Sequence, residues 1–236
     1  MDFPFVWSAD VAEANRSIIL ATLGFIVFWF AGQSPLMLQH LTNRYGYDRG
    51  QAYQIFLKRV IGMCCLGVIP ALVMLNSSTY SWADYGIAAK FLPEVFYWAG
   101  GLSLVIVFIT ARTARQPAHL EQFPEIRMLP WRNSLLVWSA LSWVGYLIAY
   151  ELLFRGFLLF ACARAFGAWP AVLINTSMYA LVHLPKGPNE GIGAIPLGLL
   201  LCYITLQTET VWVALLVHVV LALSNEWYSL KYRLAK

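Results

Sequence analysis

Five polar side chains stand inside otherwise apolar stretches of this chain: Glu151, Arg155, His183, His218 and Asn225. Glu151 and Arg155 lie four apart in Tyr150-Glu151-Leu152-Leu153-Phe154-Arg155-Gly156. On a helix they share one face, where carboxylate and guanidinium can neutralise each other. His183 ends the segment Tyr179-Ala180-Leu181-Val182-His183-Leu184-Pro185. His218 and Asn225, seven residues apart, keep to one helical face about 10 Å apart along the axis. A carboxylate, two imidazoles and an amide suit hydrolysis, which needs a base for water and donors for the developing oxyanion. Glu151 with His183 can deprotonate a water held between them, and His218 with Asn225 can supply the donors. Tyr150, about 100° around the helix from Glu151, either adds a hydroxyl donor or packs. The turn Lys186-Gly187-Pro188-Asn189-Glu190 carries a second carboxylate. Glu190 is a solvated turn residue, or the alternative base if Glu151 only holds Arg155. The plain structural reading is that Glu151–Arg155 is a clamp and the histidines pack.

These residues must be positioned by membrane helices. Hydrophobic residues make up 60% of the chain and charged ones 12%, with mean hydropathy +0.63. Such a composition excludes an ordinary soluble domain. The expected fold is all-α and polytopic, with about seven transmembrane helices. The net charge of +4 does not point to nucleic acid, because membrane proteins carry surplus Lys and Arg in cytoplasmic loops. Cys64, Cys65, Cys162 and Cys202 sit in apolar runs without zinc or disulfide spacing, and read as buried packing residues. Asp2, Asp10 and Glu13 precede the first apolar segment where a signal peptide would be basic, so that segment is expected to be retained.

In chain order the spans fall at 17–38, 52–75, 94–111, 133–166, 169–185, 191–208 and 210–229. Residues 39–50 read as a polar linker. Lys58 and Arg59 begin the second span, where they can snorkel to the interface, and Pro70 should kink it. The longest linker, 112–132, holds Pro117, Pro124 and Pro130 and reads as a hinge. It separates an N-terminal three-helix segment with its loop, 1–132, from core helices 133–236, within one integrated membrane domain. The run 133–166 is long for one span and short for two. One crossing puts ten Lys or Arg on one side and three, Arg16, Lys90 and Arg164, on the other. The positive-inside rule then places the N-terminus outside and the C-terminus in the cytoplasm, with Trp143 as an interfacial anchor.

Taken in order, Glu151 and Arg155, then Tyr179 and His183, then His218 resemble the motifs of the CAAX prenyl protease type II family. That family includes bacteriocin self-immunity proteins, and its members are described as glutamic-type intramembrane proteases. Its signature reads Glu-Glu-x-x-x-Arg, Phe-x-x-x-His and His-x-x-x-Asn. The resemblance covers about residues 133–229, while 1–132 contribute hydropathy alone. Tyr150 stands where the first glutamate, the one assigned to activating water, would be. Ala222 stands at the asparagine position, and Asn225 can substitute from the same face.

The resemblance implies an intramembrane endopeptidase with Glu151, Arg155, His183, His218 and Asn225 as catalytic residues and Tyr150 and Glu190 in reserve. It implies no metal and no cofactor. The partners are the lipid bilayer and a membrane-associated protein or peptide substrate, and the location is a bacterial inner membrane. A catalytically silent relative binding a hydrophobic or lipidated peptide is the alternative that Tyr150 keeps open. Another is a metal-dependent hydrolase with Glu151, His183 and His218 as ligands, although the chain lacks a His-Glu-x-x-His pair. A proton-coupled transporter is disfavoured by a short chain without repeats.

Overall fold

The computed structural model describes residues 7–88, 92–184 and 187–234. Asp2, Lys90, Pro185, Lys186 and Lys236, used in the readings above, lie outside them. Inside hydrocarbon each backbone N–H and C=O must be satisfied within its own segment, which favours helices. The helices are α1 (Ala9–Gly32), α2 (Pro35–Tyr45), α3 (Tyr47–Met63), α4 (Ile69–Ser77), α5 (Pro93–Thr113), α6 (Pro117–Gln122), α7 (Asn133–Glu151), α8 (Leu159–Phe166), α9 (Ala168–His183), α10 (Pro188–Thr208) and α11 (Trp212–Leu234). A π-helical turn, Cys64–Val68, joins α3 to α4, and a second, Leu152–Leu158, joins α7 to α8.

Six of the described segments are long and apolar enough to cross a membrane. The seventh expected span, 169–185, is α9, whose 16 residues reach only about 24 Å. The run 133–166 is one unbroken 34-residue helix, so it does not turn back on itself. The first span is displaced from 17–38, because Pro35 cannot continue α1 but suits the first position of a new helix. Ser34 caps that helix by accepting from the Met37 N–H at 3.4 Å. The polar linker 39–50 is therefore largely helical. At Pro70, which removes a helical hydrogen bond, the strain falls in the π turn immediately before it.

The helix α7–α8 is the centre of the bundle. Of its most apolar window 72% is buried, against at most 56% for any other span. Leu153, Phe154, Phe157, Leu158 and Leu159 are all fully buried, as expected of a helix apolar on every side. Close approach to the second span is permitted by Gly67, where an added Cβ would meet the Ala149 Cβ at 2.7 Å. At one end of this helix Arg164 donates to the Glu13 carboxylate at 2.9 and 3.2 Å, which also accepts from Ser78 and Tyr85. Cys162 and Cys202 are buried as expected, whereas Cys64 is exposed and Cys65 half-buried.

The linker 112–132 is a packed strap. Ile126 is fully buried and Trp131 nearly so, in a cluster with Ala52 and Leu230. Arg127 donates to the Leu120 and Phe123 carbonyls, and Arg233 also donates to that of Leu120. Arg59 does not snorkel. Its guanidinium is 2% exposed and donates to Glu125 at 3.0 Å, Ser142 at 2.8 Å and the Ser139 carbonyl at 3.1 Å, with Glu226 at 3.8 Å. Trp143 is no interfacial anchor either: it is buried, with the Arg59 guanidinium 4.2 Å from its ring centre. The Arg59 cation offsets part of the cost of burying the Glu226 carboxylate beside it.

Replacing Arg59 by Leu leaves Glu226 buried with its cation gone. Unfolding of the detergent-solubilised protein should show a loss of about 3–5 kcal/mol, with faster protease cleavage within 114–131. Glu125→Gln, at a carboxylate that is itself partly exposed, should cost less.

Candidate functional site

Three elements meet behind the strap. The end of α7 supplies Tyr150 and Glu151, and the π turn supplies Arg155. Helix α9 supplies Asn175, Tyr179 and His183 at four-residue intervals, all on one face. Helix α11 supplies His218 and Asn225. The π turn is held from α9: the Asn175 amide donates to the Phe154 carbonyl at 2.5 Å and accepts from the Cys202 thiol at 3.2 Å.

A closed circuit of four buried side chains results. The Glu151 Oε1 accepts from the Arg155 Nη1 at 3.4 Å and from the Nδ1–H of His218. The His218 Nε2 meets the Tyr179 hydroxyl at 2.8 Å. The Tyr179 ring lies under the Arg155 guanidinium, 4.4 Å from ring centre to carbon. None of the four is more than 5% exposed. Both ring nitrogens of His218 are therefore engaged, Nδ1 by the carboxylate and Nε2 by the phenol.

His183 is arranged differently. It is half-buried, and its Nδ1 lies 2.8 Å from the Tyr179 carbonyl. A carbonyl can only accept, so Nδ1 carries the proton and the neutral ring keeps its lone pair on Nε2.

A cavity of about 110 Å³ lies against these groups, with room for several waters. Tyr150, His183, Glu190, His218 and Asn225 line it; Glu151 and Arg155 do not. Ala222, at the motif's asparagine position, also lines it, with Asn225 about one turn further on. Glu190 is in the first turn of α10 and not in a solvated loop, because the helix begins at Pro188. Tyr150 is 4% exposed, stacked on Phe154 at 4.5 Å and edge-on to His218 at 5.9 Å. Its hydroxyl has no hydrogen-bond partner among the described residues. Glu125 and Arg59 line the strap side of the cavity.

The sequence reading missed His119, on α6 within the strap. Its ring hydrogen-bonds to the backbone of Asn225 and feels the charge of Glu190, and burial pushes its pKa down. It also missed Asn175 and gave Tyr179 no role beyond its motif, although the spacing 175, 179, 183 was visible as one polar face in an apolar helix. The metal alternative is not supported by placement. No group of three or more His, Cys, Asp or Glu among the described residues is placed to hold a metal ion.

Residues 132–224 match the type II CAAX prenyl endopeptidase Rce1-like family. The matched segment contains the whole circuit together with His183 and Glu190. Asn225 falls one residue beyond the matched stretch, and the strap and first three spans lie before it. No curated protein and no solved structure matches the chain significantly.

The Glu151 Oε1 serves two partners, which makes removal of the pair only partly reversible. Glu151→Leu should destabilise the protein by about 3–5 kcal/mol. Adding Arg155→Leu should recover part of that loss, leaving His218 without its Nδ1 acceptor, at about 1–3 kcal/mol for one unsatisfied buried group. Equilibrium unfolding of the two single variants and the double variant measures this directly.

Proposed function

We propose that the protein is an endopeptidase of the glutamic type, hydrolysing a peptide bond of a membrane-associated protein or peptide. The observation that carries the reading is one cavity, bordered by the segment that matches the endopeptidase family, on which His183, His218, Asn225 and a carboxylate converge. In this reading the His183 Nε2 lone pair holds the attacking water. The Asn225 amide and the unpartnered Tyr150 hydroxyl donate to the oxyanion as the carbonyl becomes tetrahedral. Glu151 and Arg155 hold His218 and Tyr179 in place, forming the wall against which the substrate carbonyl is set.

A membrane-associated substrate is supported by a second feature. An apolar groove of about 640 Å³ lies between α1 and α9, lined by residues such as Ile18, Ala21, Leu173 and Leu181. Phe25 and Val182 line both groove and cavity. We place the strap and the C-terminal tail on the cytoplasmic side, following the basic residues of residues 112–132 and the tail. The cavity then lies toward the cytoplasmic half of the bilayer.

Purified protein in nanodiscs, supplied with a quenched fluorescent peptide bearing a lipid anchor, tests the reading. Cleavage should survive a chelator, fall by at least about a hundredfold in His183→Ala and fall less in Asn225→Ala. Intact binding without cleavage would favour the silent, peptide-binding alternative, and loss of turnover on chelation would favour a metal hydrolase.

A further inference from the structure

We infer that Glu190 is the general base of this site, supplying from α10 the carboxylate that Tyr150 displaces from α7. The inference rests on the endopeptidase reading above and concerns how water is activated within it.

Glu151 is the residue the motif offers, but it does not line the cavity, and its Oε1 already accepts from Arg155 and His218. It sits behind His218, which does line the cavity. A carboxylate screened from the water by an imidazole can orient that imidazole but does not itself touch the nucleophile. Tyr150 does line the cavity, at the position the motif gives to the water-activating acid, and a phenol there is a donor and not a base near neutral pH. Among the described residues, the carboxylates lining the cavity are Glu125 and Glu190. Glu125 is committed to the strap: it accepts from the Arg59 guanidinium at 3.0 Å and lies 4.0 Å from the Lys58 ammonium. Two cations on one carboxylate make it a poor proton acceptor. Glu190 remains.

Its placement suits the task. Glu190 follows His183 by seven residues, across the short connection from α9 to α10, and both line one cavity with His218 and Asn225. It is half-buried, so it is open to water without being dissolved in it. His119, hydrogen-bonded to the Asn225 backbone, is near enough to feel its charge. Attack then runs as follows. The water oxygen forms a bond to the substrate carbonyl carbon while one water proton passes to a Glu190 carboxylate oxygen. The carbon–nitrogen bond of the tetrahedral intermediate breaks as that proton passes from Glu190 to the leaving amine. Glu190 ends as it began, and the products are a carboxylic acid and an amine.

The test compares Glu190→Gln, Glu125→Gln and the double variant Tyr150→Glu, Glu190→Gln in the nanodisc assay, with kcat and KM separated and each variant's thermal unfolding recorded. Glu190→Gln should lose at least about a hundredfold in kcat with KM within about threefold, unchanged unfolding, and loss of the acidic limb of the pH–rate profile. Glu125→Gln should keep that limb. Tyr150→Glu, Glu190→Gln should regain at least about tenfold over Glu190→Gln, because a carboxylate again faces the cavity. A Glu190→Gln protein that cleaves as fast as the wild type overturns the inference and leaves the endopeptidase reading standing. A rate loss confined to KM, or one that tracks unfolding, overturns it too. A wild type that does not cleave sinks both.

Discussion

The arrangement depends on one buried cation. Arg155 is fully buried in the central helix of a membrane bundle, where an unpaired guanidinium would be costly. Its neutralisation by Glu151 is a long contact of 3.4 Å, and the rest of the compensation is spread over neighbours. The Tyr179 ring offers its negative face to the guanidinium, and His218 shares the carboxylate oxygen. Because each of the four residues is held by two others, α7, α9 and α11 are fixed relative to one another at the depth of the site. A single ion pair would fix two helical positions; the circuit fixes three helices.

The polar groups divide by exposure. The circuit is sealed and serves as a wall. His183, Asn225 and Glu190 are half-buried and face the cavity in front of that wall. Beyond them the strap brings Glu125 and Arg59 across the opposite side. Polar side chains on rigid, mutually braced helices are what a reaction needing fixed geometry requires. The start of α10 brings Glu190 to the cavity.

Much of this was legible in the sequence. Hydropathy marked the spans, and Glu151, Arg155, His183 and His218 in apolar runs marked where polar side chains gather, because charge in such runs must have a partner. Asn225 reached the cavity because seven residues preserve a helical face. What could not be read is what long-range contact decides. Arg59 next to the start of a span looks like a snorkelling residue until Glu125, 66 positions later, folds back to it. Trp143 has the composition of an interfacial anchor until that cation lies over its ring. The strap is rich in proline and arginine and resembles a hinge, yet Arg127 is spent on the strap's own carbonyls and Arg233 of α11 reaches into it. Glu190 read as a turn residue because Pro188 reads equally well as a breaker and as a first helical residue.

The π turn at Leu152–Leu158 gives the central helix a discontinuity of phase. A π turn takes more residues per revolution than an α turn, so the helix before it and the helix after it are rotated relative to a continuous α ladder. Tyr150 and Glu151 lie on one side of that joint, and Arg164, with its grip on Glu13, lies on the other. The angular offset between the cavity end of the helix and its anchored end is therefore stored in backbone count rather than in any side chain. Asn175 guards that count by holding the Phe154 carbonyl, which makes an amide on a neighbouring helix the keeper of the central helix's register.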